Sequence, residues 1–476
     1  MNEELWKLDA TALADLVRRR EVSARELVEL SLERIATVGA PLNAIAALDP
    51  ERALAAADRS EPGEAHPFAG VPFLTKDLLP YPGVACSFGS RLFATMGHVP
   101  HEHLPYTAAI EQSGLVVLGT TTSSEFGLLG STETLAHGTT RNPWRLDRSA
   151  GGSSGGAAAA VAAGLVPLAH ASDGGGSIRL PAAMHGLFGL KPSRDRTLRA
   201  VPQPSAGSRI TSEHCVSRSV RDSARFLACT ERRDDDAPFA PLGFVSHGRR
   251  DRLRIGVVRE SLLGAAPPPE GNAAVDRAVS LLVEMGHEVE EVSPPTGAGR
   301  STSNAFFAIA GHFIDQLSRM MEPMLGREPG PDAFEPFTLE LRDWYRSHDA
   351  GFFDDACAQL ETAARALLEH QRRWDLTLSP TLGVPTPELG YMAPTLPMAT
   401  ILSRMEAFAG YTPAHNMAGA CAMTVPLHVD PEGLPVGCHF AAMPGREDLL
   451  LTLAYALEEA APWAGRWPTL AAPRTP

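Results

Sequence analysis

The chain has 476 residues, 44% of them hydrophobic and 21% charged, a globular balance with length enough for a large core. Its formal net charge of −14 repels phosphate backbones, so nucleic acid is not expected as its main ligand. The six cysteines (Cys86, Cys215, Cys229, Cys357, Cys421 and Cys438) are scattered without a C-x-x-C pair, which argues against a zinc site or a disulfide framework and fits a reducing cytoplasm.

The first residues, Met1 to Lys7, lack the basic-then-apolar order of an export signal. Residues 10–38 read as two helices, the second opening near Ala24 behind the capping-box run Ser23-Ala24-Arg25-Glu26. A short helix follows at 50–60. Val71–Thr75 is a short apolar strand, which sets Lys76 at a strand end, where open α/β sheets place their chemistry. Thr107–Ser113 and Leu115–Leu118 read as helix then strand. Ala157–Ala163 is a helix of small residues, and Val166–Ala171 and Leu187–Leu190 are strands. The longest apolar run, Ala157 to Ala171, is too short and too interrupted to span a bilayer, so no membrane association is expected. Ser217–Thr230 reads as a helix and 231–252 as a polar connection whose basic row, Arg249-Arg250-Asp251-Arg252, is a solvated face. Leu253–Val258, Ala274–Met285 and Glu288–Val292 read as strand, helix and strand. Residues 302–322 and 335–373 read as helical, Pro380–Pro397 as a long loop, and Val436–Ala441 and Glu447–Glu459 as a last strand and helix. The alternation predicts an α/β fold around a large mixed sheet. One domain over 1–476 is expected, with a catalytic core at 70–230 and a semi-independent α/β and helical lobe at 253–373.

The chemistry concentrates between Ala150 and Ser193. Two serines sit there in separate glycine clusters, Gly151-Gly152-Ser153-Ser154-Gly155-Gly156 and Gly174-Gly175-Gly176-Ser177. An apolar helix and strand follow the first cluster at once, unlike a flexible linker. No G-x-x-x-x-G-K-[ST] run is present, which argues against a phosphate-cradling loop. The glycines before Ser177 let several backbone N–H groups converge on one point, an arrangement that stabilises the oxyanion of acyl transfer. A serine hydroxyl also needs a base. The sequence has 16 histidines, none in a recognisable triad setting, and sequence order alone leaves them open. Lys76, in Gly70-Val71-Pro72-Phe73-Leu74-Thr75-Lys76-Asp77, is the other candidate, because burial can hold a lysine neutral near pH 7. Ser153 would then relay a proton between Lys76 and Ser177. Asp173 and Arg179 flank the second loop and can brace it through charge-assisted hydrogen bonds. His170 reads as a core histidine, and Asp234-Asp235-Asp236 as a solvated linker rather than a metal site. Phe126, Leu128 and Leu129 read equally as acyl-pocket wall or as core. Specificity is expected in loops near 126–137, 302–325 and 380–420.

The chain resembles the amidase signature family. The resemblance rests on Gly151–Gly156, Asp173–Arg179 and Gly189-Leu190-Lys191-Pro192 at matching spacing, and extends to Gly70–Asp77, Thr140-Arg141-Asn142-Pro143-Trp144 and Gly433-Leu434-Pro435-Val436-Gly437. It implies the amidase-signature fold, a large mixed twisted sheet covered by helices on both faces. It also implies a triad of Ser177 as nucleophile, Ser153 as bridging serine with a cis peptide, and Lys76 as base. The 24-residue separation of the two serines fits the family pattern and selects Ser153 over Ser154. Oxyanion donors are implied at Gly174, Gly175, Gly176 and Ser177, and no metal or organic cofactor. The implied activity is hydrolysis of a linear or cyclic carboxamide through an acyl-enzyme. An amidotransferase A-type subunit releasing ammonia from glutamine within a complex, and an amide-forming acyltransferase, are the rival readings. Arg141–Trp144, Val166–His170, and Gly445–Leu451 with Pro462-Trp463 resemble the 6-aminohexanoate cyclic-dimer hydrolase branch. Two positions depart from the family pattern. Gly174 stands where D-T-G-G-S has threonine, which should make the loop more pliable, and Cys421 stands in a proline place. The second departure bears on the substrate side, where Asn416 is placed with Phe126, Leu128 and Leu129. A small-molecule amide is the expected partner, the expected compartment is the cytoplasm, and the assembly is open, a homodimer included.

Overall fold

The computed structural model describes residues 2–201, 209–248, 251–295 and 299–471, so Arg249 and Arg250 of the basic row lie outside the described residues. In chain order the strands are β1 (Ile45–Leu48), β2 (Pro72–Lys76) and β3 (Val116–Thr121), then two small hairpins. These pair β4 (Glu133–Thr134) with β5 (Gly138–Thr139) and β6 (Arg141–Asn142) with β7 (Arg145–Ser149). They continue with β8 (Leu168–Asp173), β9 (Phe188–Lys191), β10 (Ser212–Ser217), β11 (Arg254–Val257), β12 (Glu288–Glu291), β13 (Leu376–Pro380), β14 (Cys421–Val429) and β15 (Pro435–Ala442). Apart from the hairpins, the strands form one 11-stranded sheet in the order β1-β3-β2-β8-β10-β9-β14-β15-β13-β11-β12. The sheet is mixed. β2 runs parallel to β3 and β8, while β8, β10, β9, β14 and β15 pair antiparallel in succession. This is the expected α/β architecture. β11 and β12 extend the same sheet by parallel pairing beyond β13.

Strand parity sends alternate side chains to opposite faces, and both faces are covered. In β2, Phe73 packs with the helices Ala10–Arg18, Pro105–Gln112 and Val220–Thr230, whereas Leu74 packs with Ala24–Thr37, Pro50–Asp58 and Gly155–Ala162. The helix Ala24–Thr37 opens on the expected capping box, with Ser23 and Glu26 each satisfying the other's backbone N–H. The helix Gly155–Ala162 is buried on every side. Its small residues make that possible: a Cβ on Gly156 would stand 2.6 Å from the backbone of Thr122. No helix among the described residues is long and apolar enough to cross a membrane.

Apart from the two small hairpins, four strands have no counterpart in the sequence reading: β1, β10, β13 and β14. Ser212–Ser217 is mostly polar, yet it pairs on both sides, with β8 and with β9. Cys421–Val429 carries Pro426, whose missing N–H coincides with a register shift between Val425 and His428. The 302–325 segment, read as helical over 302–322 but also named among the specificity loops, is the helix Arg300–Leu325, and it lies over the C-terminal edge of β8 together with Pro336–Arg346 and Phe352–Gln371.

Candidate active site

Because β2 and β8 are parallel neighbours, their C-terminal ends come to the same sheet edge. That edge brings Lys76 against Ser172. Lys76 is fully buried, and its Nζ donates to Ser153 Oγ at 2.7 Å, to Ser172 Oγ at 3.0 Å and to the Ser172 carbonyl at 3.4 Å. Burial disfavours the ammonium and lowers the lysine from 10.5 to about 7, against the opposing charges of Glu213 and Asp173. Ser153 follows a cis peptide bond from Gly152. Ser153 and Ser177 line one cavity of about 1880 Å³ at this edge. No hydrogen bond joins their hydroxyls among the described residues. Catalytic hydrogen bonds commonly tighten only when substrate binds.

A second buried lysine shows why proton affinity alone does not pick out a base. Lys191 is also lowered to about 7, first by burial and then by the Arg179 charge. Its Nζ donates to the Pro192 carbonyl at 2.9 Å, and it does not border the cavity. Of the two lysines, Lys76 is the one that bonds a cavity-lining serine hydroxyl. Ser154, the rejected neighbour of Ser153, is buried and donates to the Ser172 carbonyl at 3.2 Å.

The glycine loop after β8 is held from behind by a closed set of buried polar groups. Asp173 and Arg179, both fully buried, form a bidentate pair at 2.9 Å through each arm. Burial alone would raise the Asp173 carboxyl. The Arg179 guanidinium, its hydrogen bonds, Lys191 and Asn416 outweigh burial and hold it well below the usual carboxylate range. Arg179 also donates to the Thr412 carbonyl at 3.1 Å, His439 Nε2 at 2.9 Å and Asn416 Oδ1 at 2.6 Å. Asn416 Nδ2 donates to the Asp173 carbonyl at 2.8 Å and to its carboxylate at 2.9 Å. Asn416 is therefore a brace behind the loop. It does not border the cavity, which corrects its placement among substrate contacts. Cys421 likewise sits buried in β14, its thiol donating to the Met443 carbonyl at 3.3 Å, away from the cavity wall.

Gly176 differs from its neighbours. Its N–H donates to the Asp173 carboxylate at 2.7 Å, so that donor is committed to the brace and is not available to an oxyanion. Among the described residues the N–H groups of Gly174, Gly175 and Ser177 have no such partner, and these three residues border the cavity. Gly176 also has φ +129°, and a Cβ there would collide with Thr412 Oγ1 and stand 2.6 Å from Leu180 Cδ1. At Gly174 a Cβ would meet nothing closer than Thr211 Oγ1 at 3.4 Å. Gly174→Ala is therefore expected to keep activity within a few fold, and Gly176→Ala to lose most of it. Steady-state rates of the two purified variants check this, and equal behaviour would contradict the steric argument.

Phe126, Leu128 and Leu129 all border the cavity, and a Cβ on the intervening Gly127 would stand 3.5 Å from Ser153 Oγ. Phe126 has φ +51° and packs edge-on against Phe93, Phe313 and Phe334. Opposite, Phe306 from the helix Arg300–Leu325 lies over the glycine loop, 3.0 Å from where a Cβ on Gly175 would sit. The sequence reading missed Ser172, Glu213 and the setting of His170. The parity of His170-Ala171-Ser172 was a usable signal: polar residues two apart share a strand face, here the one that meets Lys76.

The family profile described as "Amidase" matches residues 26–451. A Mycobacterium tuberculosis protein carrying the name amidase AmiC is 37% identical, covering 98% of this chain and 97% of its own. The 6-aminohexanoate-cyclic-dimer hydrolase of Paenarthrobacter ureafaciens is 33% identical, covering 99% and 98%. A solved structure of 6-aminohexanoate cyclic dimer hydrolase complexed with substrate superposes with a TM-score of 0.91 at 31% identity, covering 98% of this chain and 100% of that one.

Proposed function

The chain belongs to the amidase family, and from that premise we propose that it is a serine amidohydrolase in which Ser177 is acylated and Ser153 and Lys76 move the proton. The observation that carries this reading is the buried Lys76 amine at 2.7 Å from the cavity-lining Ser153 hydroxyl. Ser177 Oγ attacks the amide carbonyl carbon. Its proton passes to Ser153 Oγ, whose own proton passes to Lys76 Nζ, giving an ammonium. The oxyanion is met by the N–H groups of Gly174, Gly175 and Ser177. The C–N bond then breaks as the leaving amine takes the proton back along the same line. Water adds to the Ser177 ester by the same relay, releasing the acid and restoring the hydroxyl.

The apolar wall of Phe126, Leu128, Leu129, Phe306 and Phe307 supports an uncharged acyl part, from a linear or a cyclic carboxamide. Incubation with a mixed amide library followed by mass spectrometry tests the reading. The expected result is an acyl adduct on the peptide containing Ser177. Turnover with an adduct on another residue would overturn it.

A further inference from the structure

Proton uptake by Lys76 creates a positive charge on a fully buried side chain, so a counter-charge at that point matters for catalysis. Asp173 is already neutralised by its bidentate pair with Arg179. The other carboxylate is Glu213, on β10. In register it stands opposite Ser172, with Cys215 opposite His170. Glu213 borders the cavity, and the one hydrogen bond of its carboxylate among the described residues is from His170 Nε2 at 3.0 Å. His170 is fully buried, and its Nδ1 accepts the backbone N–H of Lys76 at 3.2 Å. An Nδ1 that accepts leaves the ring proton on Nε2, directed at Glu213. The line therefore runs Lys76 N–H to His170 to Glu213, with each donor and acceptor assigned.

We propose that Glu213, acting through His170, is a positioning residue for Lys76: it fixes the end of β2 and supplies the counter-charge for the ammonium formed in the proton relay. This rests on Lys76 being the base. Among the charges that favour the ammonium, Glu213 acts more strongly than Asp173. Three titratable groups beside the line are held neutral by burial, among them Cys215, opposite His170, whose thiol is pushed up. Tyr106, edge-on to His170 at 5.7 Å, is pushed up by burial and next by Glu213. His214, on β10 and bonded to Ser223 at 2.8 Å, is pushed down by burial to about 3.

The test is the rate at which a fluorophosphonate labels the serine, followed from about pH 5 to about pH 10. Labelling forms the Ser–O–P bond, releases fluoride and sends the serine proton into the same relay. The wild-type rate is expected to rise through a limb near pH 7, where Lys76 becomes neutral. Glu213→Gln keeps the shape and removes the charge, so its limb should move down by about one pH unit and its plateau should fall severalfold, because the weaker base draws the serine proton less readily. Glu213→Asp should return the limb toward the wild type. Glu213→Ser, which deletes the charge in a smaller side chain, must move the limb in the same direction as Glu213→Gln. A limb in Glu213→Gln and Glu213→Ser that superimposes on the wild type overturns the positioning role. A wild type with no limb in this range overturns the lysine base itself, which is a separate result.

Discussion

Ser177→Ala is expected to lower kcat by about 10^4- to 10^6-fold on any amide the wild type cleaves, with no measurable change in stability. The size follows from covalent catalysis. Without the Oγ there is no ester to form, and what survives is binding and whatever the N–H groups of Gly174, Gly175 and Ser177 give to direct attack by water. The silence in stability follows from the surroundings of the side chain. Ser177 is half-buried on the cavity wall, and its hydroxyl makes no hydrogen bond among the described residues. Its removal leaves no buried partner unsatisfied, so the change should stay within about 0.5 kcal/mol. The pairing of a large kinetic loss with an unmoved urea midpoint separates a reacting group from a brace. Turnover within about tenfold of the wild type would sink the nucleophile assignment. A large fall in midpoint would show that the loop depends on the serine in a way its contacts do not reveal.

The elements legible in the sequence were those whose side chains carry the burial pattern themselves. Val166–Ala171 announced β8, and the small residues of Ala157–Ala163 announced a helix with no exposed face. Ser212–Ser217 did not announce β10, because its place in the sheet comes from backbone pairing with β8 and β9 and its polar side chains are satisfied by tertiary partners such as His170 and Ser223. The same limit applies to the site. Lys76, Ser153 and Ser177 were readable as candidates because glycine clusters and a strand end mark them. Asn416 was misplaced because an amide near a family motif reads alike whether it faces substrate or the back of the loop. Only the fold shows its Oδ1 and Nδ2 committed to Arg179 and Asp173. Gly176 was misread for a related reason: four adjacent N–H groups look equivalent until Asp173 claims one of them. The helix Arg300–Leu325 is amphipathic and was legible as a helix, yet its role as a cavity wall depends on which face meets the sheet edge.

Lys76→Met is the substitution in which activity and stability should move in opposite directions. Removing the base should cost about 10^3-fold or more in kcat/KM and abolish the limb near pH 7. The folded protein should nevertheless become more stable at neutral pH. The sign follows from which state binds the proton. Above 10.5 a lysine is neutral in both states and burial costs nothing extra. Between 10.5 and about 7 the unfolded chain holds a proton that the folded chain has given up, so the folded state loses stability steadily as the pH falls. Below about 7 both states are protonated and the penalty is constant at its full value. Methionine fills a similar volume and never titrates, so it removes the penalty. The lost hydrogen bonds to Ser153 and Ser172 subtract about 1 kcal/mol each, which a penalty of a few kcal/mol exceeds. Urea unfolding of the wild type and Lys76→Met at about pH 6 and about pH 10 measures this. The variant's advantage should be largest at the lower pH and shrink toward the higher one. A variant less stable than the wild type at neutral pH, or an advantage that does not change with pH, would mean that Lys76 is charged in the resting protein. It would then have no free lone pair with which to draw a proton from Ser153.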